Sequence, residues 1–176
     1  MFGWLRRRSE DKTVARIYER IVAQSRRPEF YRDLGVADSL DGRFDMLALH
    51  AMLILRRLKD EPERTRVIGQ ALFDHMFFDM DRSLREIGVS DLAVGKRVKQ
   101  MSSAFLGRIA AYEEGLESVG DILVAALIRN VYRDQAPEGD AADRLAAYMR
   151  RADTTLREMP LEPILEGEDV FDGVVP

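Results

Sequence analysis

Cysteine is absent from all 176 residues, and histidine occurs only twice. The first absence removes disulfides, thiol nucleophiles and thiolate metal sites together, and is compatible with a reducing compartment. No apolar run approaches the roughly 20 residues that a membrane-crossing helix needs, the longest being residues 122–128. Neither sign of charge dominates: 27 Lys and Arg stand against 31 Asp and Glu, a net charge of -4 that does not favour a nucleic-acid partner. The opening Met1-Phe2-Gly3-Trp4-Leu5 precedes Arg6-Arg7-Arg8, the reverse of a secretory signal, so export is not expected. Phosphate-binding loops, dinucleotide fingerprints and nucleophile elbows are missing as well, which excludes the commoner enzyme classes by motif. No internal repeat or low-complexity tract breaks the chain into units.

What is present is helical. Apolar residues make up 46% and charged residues 33% of a length that suits one domain. Apolar positions recur at three- and four-residue spacing, and no alternation of the strand kind competes with them. The expectation is an all-α, compact, single-domain bundle of about six helices. A basic and aromatic extension, residues 1–11, would precede a helical domain, residues 12–159. An acidic segment, residues 160–176, is read as a flexible tail, because Glu162, Glu166, Glu168, Asp169 and Asp172 occur there without Lys or Arg.

Val14, Ile17, Tyr18, Ile21 and Ser25 define the face of a first helix that must stop before Pro28. A second long helix, residues 42–59, carries Phe44, Leu47, Ala48, Ala51, Leu55 and Leu58 on one side and Met46, Leu49 and Leu53 on the other. A helix apolar on two faces is either central in the bundle or offers a greasy surface to a partner. Pro62 starts the next helix and Gly88 ends it, with Phe73, Met76, Phe77, Met80, Leu84 and Ile87 as its stripe. Ser90 then caps a helix striped by Val94, Val98, Met101, Phe105, Ile109, Tyr112 and Leu116. Residues 122–132 are apolar all round, and a last helix bearing Leu145, Tyr148, Met149 and Ala152 is expected to pack outside the bundle.

Several polar positions invite chemistry. His50, His75 and Asp79 are candidate ligands of a metal, since His75 and Asp79 share a helix face. Neither H-E-x-x-H nor a recurring E-x-x-H accompanies them, so no metal and no cofactor is expected. Arg43, His50 and Arg57 repeat every seven residues, and His75, Asp79 and Glu86 run along the next helix. Pairing of the two rows would make an interhelical ionic seam that sets register. Arg108 lies within an apolar stripe and needs an acceptor. Ser103 and Gly107 share another face of that helix, fit for the close approach of a neighbouring backbone or for a shallow client groove. The chain's opening supplies a candidate contact with anionic lipid through Phe2, Trp4, Leu5, Arg6, Arg7 and Arg8, against the alternative of a frayed terminus.

Three clusters are similar to one family. Asp41-Gly42-Arg43-Phe44-Asp45 with His50, then Phe78-Asp79-Met80-Asp81 with Leu84-Arg85-Glu86-Gly88-Val89, and then Phe105, Gly107-Arg108 and Tyr112 resemble the ubiquinol-cytochrome c chaperones over residues 31–132. The resemblance implies an assembly chaperone without catalytic activity that binds an unassembled respiratory membrane subunit, cytochrome b of the bc1 complex or another inner-membrane subunit. It implies residence in the bacterial cytoplasm, peripheral to the inner membrane. Client contacts are expected at Arg43, Met46, Leu49, Leu53, Phe78, Asp81, Arg85, Lys96 and Lys99. The competing readings are a small metal- or haem-handling protein using His50, His75 and Asp79, and a helical adaptor for a soluble partner.

Overall fold

In a computed structural model, which describes the backbone of residues 2–135 and 137–175 and the side chains from residue 10 onward within those limits, the described residues form eight helices and no strand. They are α1 (Phe2–Ser25), α2 (Pro28–Arg32), α3 (Leu40–Lys59), α4 (Pro62–Glu86), α5 (Asp91–Glu117), α6 (Ile122–Asn130), α7 (Ala141–Glu158) and α8 (Glu162–Glu166). The all-α expectation holds. The backbone of the expected N-terminal extension is the beginning of α1. Its proposed lipid contacts, Phe2, Trp4, Leu5, Arg6, Arg7 and Arg8, are side chains outside the described residues.

Local chemistry sets the ends of the elements. Pro28 and Pro62 stand in the first turns of α2 and α4, where a missing N–H costs nothing. Ser39 caps α3, its hydroxyl accepting from the Gly42 amide at 3.1 Å. Gly42 also lies against the Ala37 carbonyl so closely that a Cβ would overlap it, which fixes how the chain enters α3.

α3 is the axis of the bundle. It packs against α1, α4, α5 and α7, and that is why it is buried on nearly all sides and apolar on two of them. Met46, Leu49 and Leu53 are buried together with Phe44, Leu47, Ala51 and Leu58. This decides between the two readings of its second apolar side: it is core, and these three residues present no surface to a client.

Two further expectations are corrected. α7 does not sit outside the bundle: it packs on α3 and α6, with Leu145, Tyr148, Met149 and Ala152 wholly buried. The acidic segment is no flexible tail either. Leu161, Ile164, Val170, Phe171 and Val174 are buried in the main core, α8 packs on α1, and Arg20 donates to the Gly167 carbonyl at 3.0 Å. The charges of that segment are its wet side, and the interleaved Leu, Ile, Val and Phe bring enough apolar burial to hold it down.

Candidate functional site

An apolar depression lies where the C-terminal end of α3, the first half of α4 and the middle of α5 meet. Leu55 and Leu58 of α3, Phe73 of α4, and Leu106 and Ile109 of α5 form its walls, around a volume of about 370 Å³. Gly69 widens it, since even a methyl there would touch Leu55. Polar groups stay at the rim: Lys59, Arg66 and Gln70. Lys59 is tied across the mouth to Glu113, while Arg66 has no ionic partner among the described residues.

The groove opens onto an unpartnered face of α5. Leu92, Lys96, Lys99, Ser103, Leu106 and Ala110 follow one another at three- and four-residue intervals with Gly107 beside them, and all are exposed. Leu92 is 96% exposed, which for a leucine in a helix marks a side that the bundle does not cover. Lys96 and Lys99 have no carboxylate partner among the described residues. No backbone approaches Gly107, as no atom lies within 4 Å of a Cβ built there. The close-approach reading of Ser103 and Gly107 is therefore wrong, and their face is open. The close approach belongs to Gly115, where a Cβ would lie 2.7 Å from the Leu123 Cα as α6 crosses.

The remaining expected contact residues are dispersed. Phe78 is 69% exposed on the outer side of α4, flanked by the Asp81–Arg85 pair at 2.6 Å, and Arg85 also reaches Asp91. Arg43 sits at the start of α3 and pairs with Asp38 at 2.7 Å.

The ionic seam between α3 and α4 does not form. Arg57 is committed to Glu61 and to the Met159 carbonyl. Asp79 accepts from the Tyr18 hydroxyl at 2.9 Å and from Arg82 at 2.6 Å, Glu86 lies 3.7 Å from the same Arg82, and His75 packs edge-on against the Tyr18 ring. The Asp79 contact, with burial as the larger cause, raises the Tyr18 phenol well above its ordinary range. α1 lies against α4, so the acidic row faces α1 rather than α3.

His50 is enclosed instead in a hydrogen-bonded chain. Its Nδ1–H donates to the Met46 carbonyl at 2.7 Å, its Nε2 accepts from the Tyr148 hydroxyl at 2.7 Å, and that oxygen accepts from Gln24 at 2.9 Å. Phe30, Tyr148 and Phe171 surround the ring, and complete burial pushes its pKa down to about 4. Both ring nitrogens are occupied, and His75 and Asp79 have partners of their own. Among the described residues no three His, Asp or Glu side chains gather as metal ligands would.

Arg108 finds its counter-charge in Asp45, which α3 holds fully buried, although Asp45 Oδ1 has no hydrogen-bond donor among the described residues. The Arg108 Nη2 lies 2.7 Å from Asp45 Oδ1, Arg133 donates to Oδ2 at 2.9 Å, and the Phe44 ring lies 5.4 Å from the Arg108 guanidinium carbon. Burial pushes the Asp45 carboxyl up to about 6, and the two guanidiniums pull it back without restoring the ordinary value. Spacing along α3 gave no hint of Asp45 as a core charge; an Asp beside Phe44 in an otherwise apolar run was the available signal.

Taken as architecture, this is an all-α bundle with an apolar groove on one flank and a lysine-bearing helix face beside it. The family model described as ubiquinol-cytochrome C chaperone matches residues 32–171, and the chain belongs to that family, whose members are assembly factors of the ubiquinol-cytochrome c reductase (bc1) complex. It is 25% identical over 156 residues to ubiquinol-cytochrome-c reductase complex assembly factor 1 of Xenopus laevis, covering 89% of this chain and 75% of that protein. The mouse protein of the same name is also 25% identical over 89% of this chain, which spans 51% of its length. Among solved structures, the crystal structure of the Cbp3 homolog from Brucella abortus superimposes with a TM-score of 0.81 at 37% identity, over 95% of this chain and 94% of that one.

Proposed function

We propose that this protein is a non-catalytic assembly chaperone that holds a bc1 membrane subunit, cytochrome b, before it enters the complex. The observation that carries this reading is the apolar groove of Leu55, Leu58, Phe73, Leu106 and Ile109, continuous through Leu106 with the exposed face of α5. A segment of membrane subunit outside the bilayer needs its apolar surface covered, and an open groove with charged residues confined to the rim covers it without trapping it. Lys96 and Lys99 would meet the acidic groups of the client or of nearby lipid headgroups, in keeping with a chaperone that works in the cytoplasm against the inner membrane. Phe78, Asp81, Arg85 and Arg43 lie on other sides of the bundle and would serve only a client that wraps around it.

The test is photocrosslinking in native cells from Leu106, Lys99 and Phe78, with mass spectrometry of the membrane-associated adducts. Cytochrome b is expected in adducts from Leu106 and Lys99, with a smaller yield from Phe78. Recovery of soluble partners alone from all three positions would overturn the proposal.

A further inference from the structure

Beyond the opposite flank of α5 lies a second cavity, of about 500 Å³, where the start of α3, the end of α4 and the middle of α5 meet the chain that follows α6. Leu40, Phe44, Leu84 and Met101 give it an apolar wall, and Arg97, Arg108 and Arg133 converge on it. Arg108 is nine-tenths buried, yet its Nε and Nη1 have no hydrogen-bond partner among the described residues. A guanidinium carries five donors, three of them on Nε and Nη1, and leaving these buried and unmet is costly unless an acceptor arrives.

Two more features point the same way. Arg97 is exposed at the cavity with no ionic partner among the described residues. Arg133 and Asp134 both have left-handed backbones, with φ of 56° and 61°. Residues other than glycine seldom adopt that geometry, and here it accompanies an Arg133 side chain that reaches Asp45. Three guanidiniums thus face two carboxylates, Asp41 and Asp45, and the cavity keeps a surplus of positive charge.

We propose that this cavity binds the phosphate of an amphiphile, a phosphate ester whose apolar chain lies along Leu40, Phe44, Leu84 and Met101. A phosphate has enough oxygens to share among three guanidiniums, whereas a carboxylate has two, and Asp45 already supplies that group. The apolar wall asks for more than a bare ion. A phospholipid headgroup and a soluble phosphorylated metabolite share this chemistry and differ in the chain. The inference does not rest on the chaperone reading, because the site lies away from the groove and its test needs no client.

The test uses the purified full chain. Octyl phosphate below its micelle concentration is titrated by calorimetry while the arginine Nε–H signals are followed by NMR, with inorganic phosphate and octyl glucoside as comparisons. Octyl phosphate is expected to bind at least about tenfold more tightly than inorganic phosphate, the octyl chain supplying the difference by burial. It should move the Arg108 Nε–H signal and lose about tenfold in affinity in both Arg97→Ala and Arg133→Ala, the worth of one charge-assisted hydrogen bond. Arg97 is exposed and pairs with no described carboxylate, so Arg97→Ala is expected to melt like the parent, whereas Arg133→Ala removes a partner of buried Asp45 and is expected to melt lower while staying folded at the titration temperature. Equal affinity for the two phosphates would remove the apolar ester and leave a free-phosphate site. Undiminished binding in both variants, a still Arg108 signal, or equal binding of octyl glucoside would overturn the proposal outright.

Discussion

Two buried ionisable side chains pull the stability of this protein in opposite directions as pH changes. His50 is held neutral, its pKa depressed to about 4, so the unfolded chain takes up its proton first. Its contribution is complete above about pH 6.5 and is lost as pH falls towards 4, at up to ~1.4 kcal/mol per pH unit and about 3 kcal/mol in all. Asp45 has a raised pKa of about 6, so the folded chain takes up that proton first. Its contribution is complete below the ordinary carboxylate value and is lost as pH rises through 6. Between pH 4.5 and 6 the two therefore oppose each other. Urea unfolding should show a shallow dependence on pH across that window in the parent protein. Asp45→Asn should steepen the loss on acidification, and His50→Leu should abolish or reverse it, whatever constant cost each substitution adds. Parallel pH profiles for all three proteins would mean that neither group is perturbed as described. The surface carboxylates Asp33, Asp38, Asp81, Glu61 and Glu162 are each held below their ordinary values by an arginine, so they act only at lower pH.

Helices were the most legible elements, because periodicity reports burial and burial follows periodicity. Val14, Ile17, Tyr18, Ile21 and Ser25 form the buried face of α1 as their spacing requires. What periodicity cannot report is which neighbour a face meets. Arg43, His50 and Arg57 look like one row, yet they find partners in Asp38, Tyr148 and Glu61, and α1 takes the face of α4 that the row was expected to meet. The groove escaped notice for a related reason: Leu55 and Ile109 read as ordinary stripe residues, and only the depression where α3, α4 and α5 meet leaves them uncovered. Two glycines on α5 make the same point testable. Gly115→Ala sets a Cβ against the backbone of α6 and should cost about 1–3 kcal/mol. Gly107→Ala meets nothing and should stabilise the helix by about 0.5–1 kcal/mol. Denaturant midpoints of the two variants would settle which glycine carries the packing, and equal effects would contradict the assigned crossing.

Over the whole molecule, the core is closed by the two stretches of chain farthest apart in sequence. Gln24 of α1 donates to the Val174 carbonyl, Arg20 to the Gly167 carbonyl, and Phe171 lies against His50 at the centre. Phe171→Ala is expected to cost about 3–5 kcal/mol, and ending the chain at Pro160 should abolish the cooperative thermal transition. A truncated protein that melts like the parent would restore the reading of residues 160–176 as a loose tail. The acidic composition of that segment hid this role, since charge content describes its solvent side and not Leu161, Ile164 or Val174 beneath it. The same closure bears on synthesis. A nascent chain meets α1 and α3 early, but His50, Tyr148 and Gln24 cannot be sealed until Phe171 and Val174 have left the ribosome. Until then the bundle lacks one wall, so an assembly factor would itself leave translation unassembled.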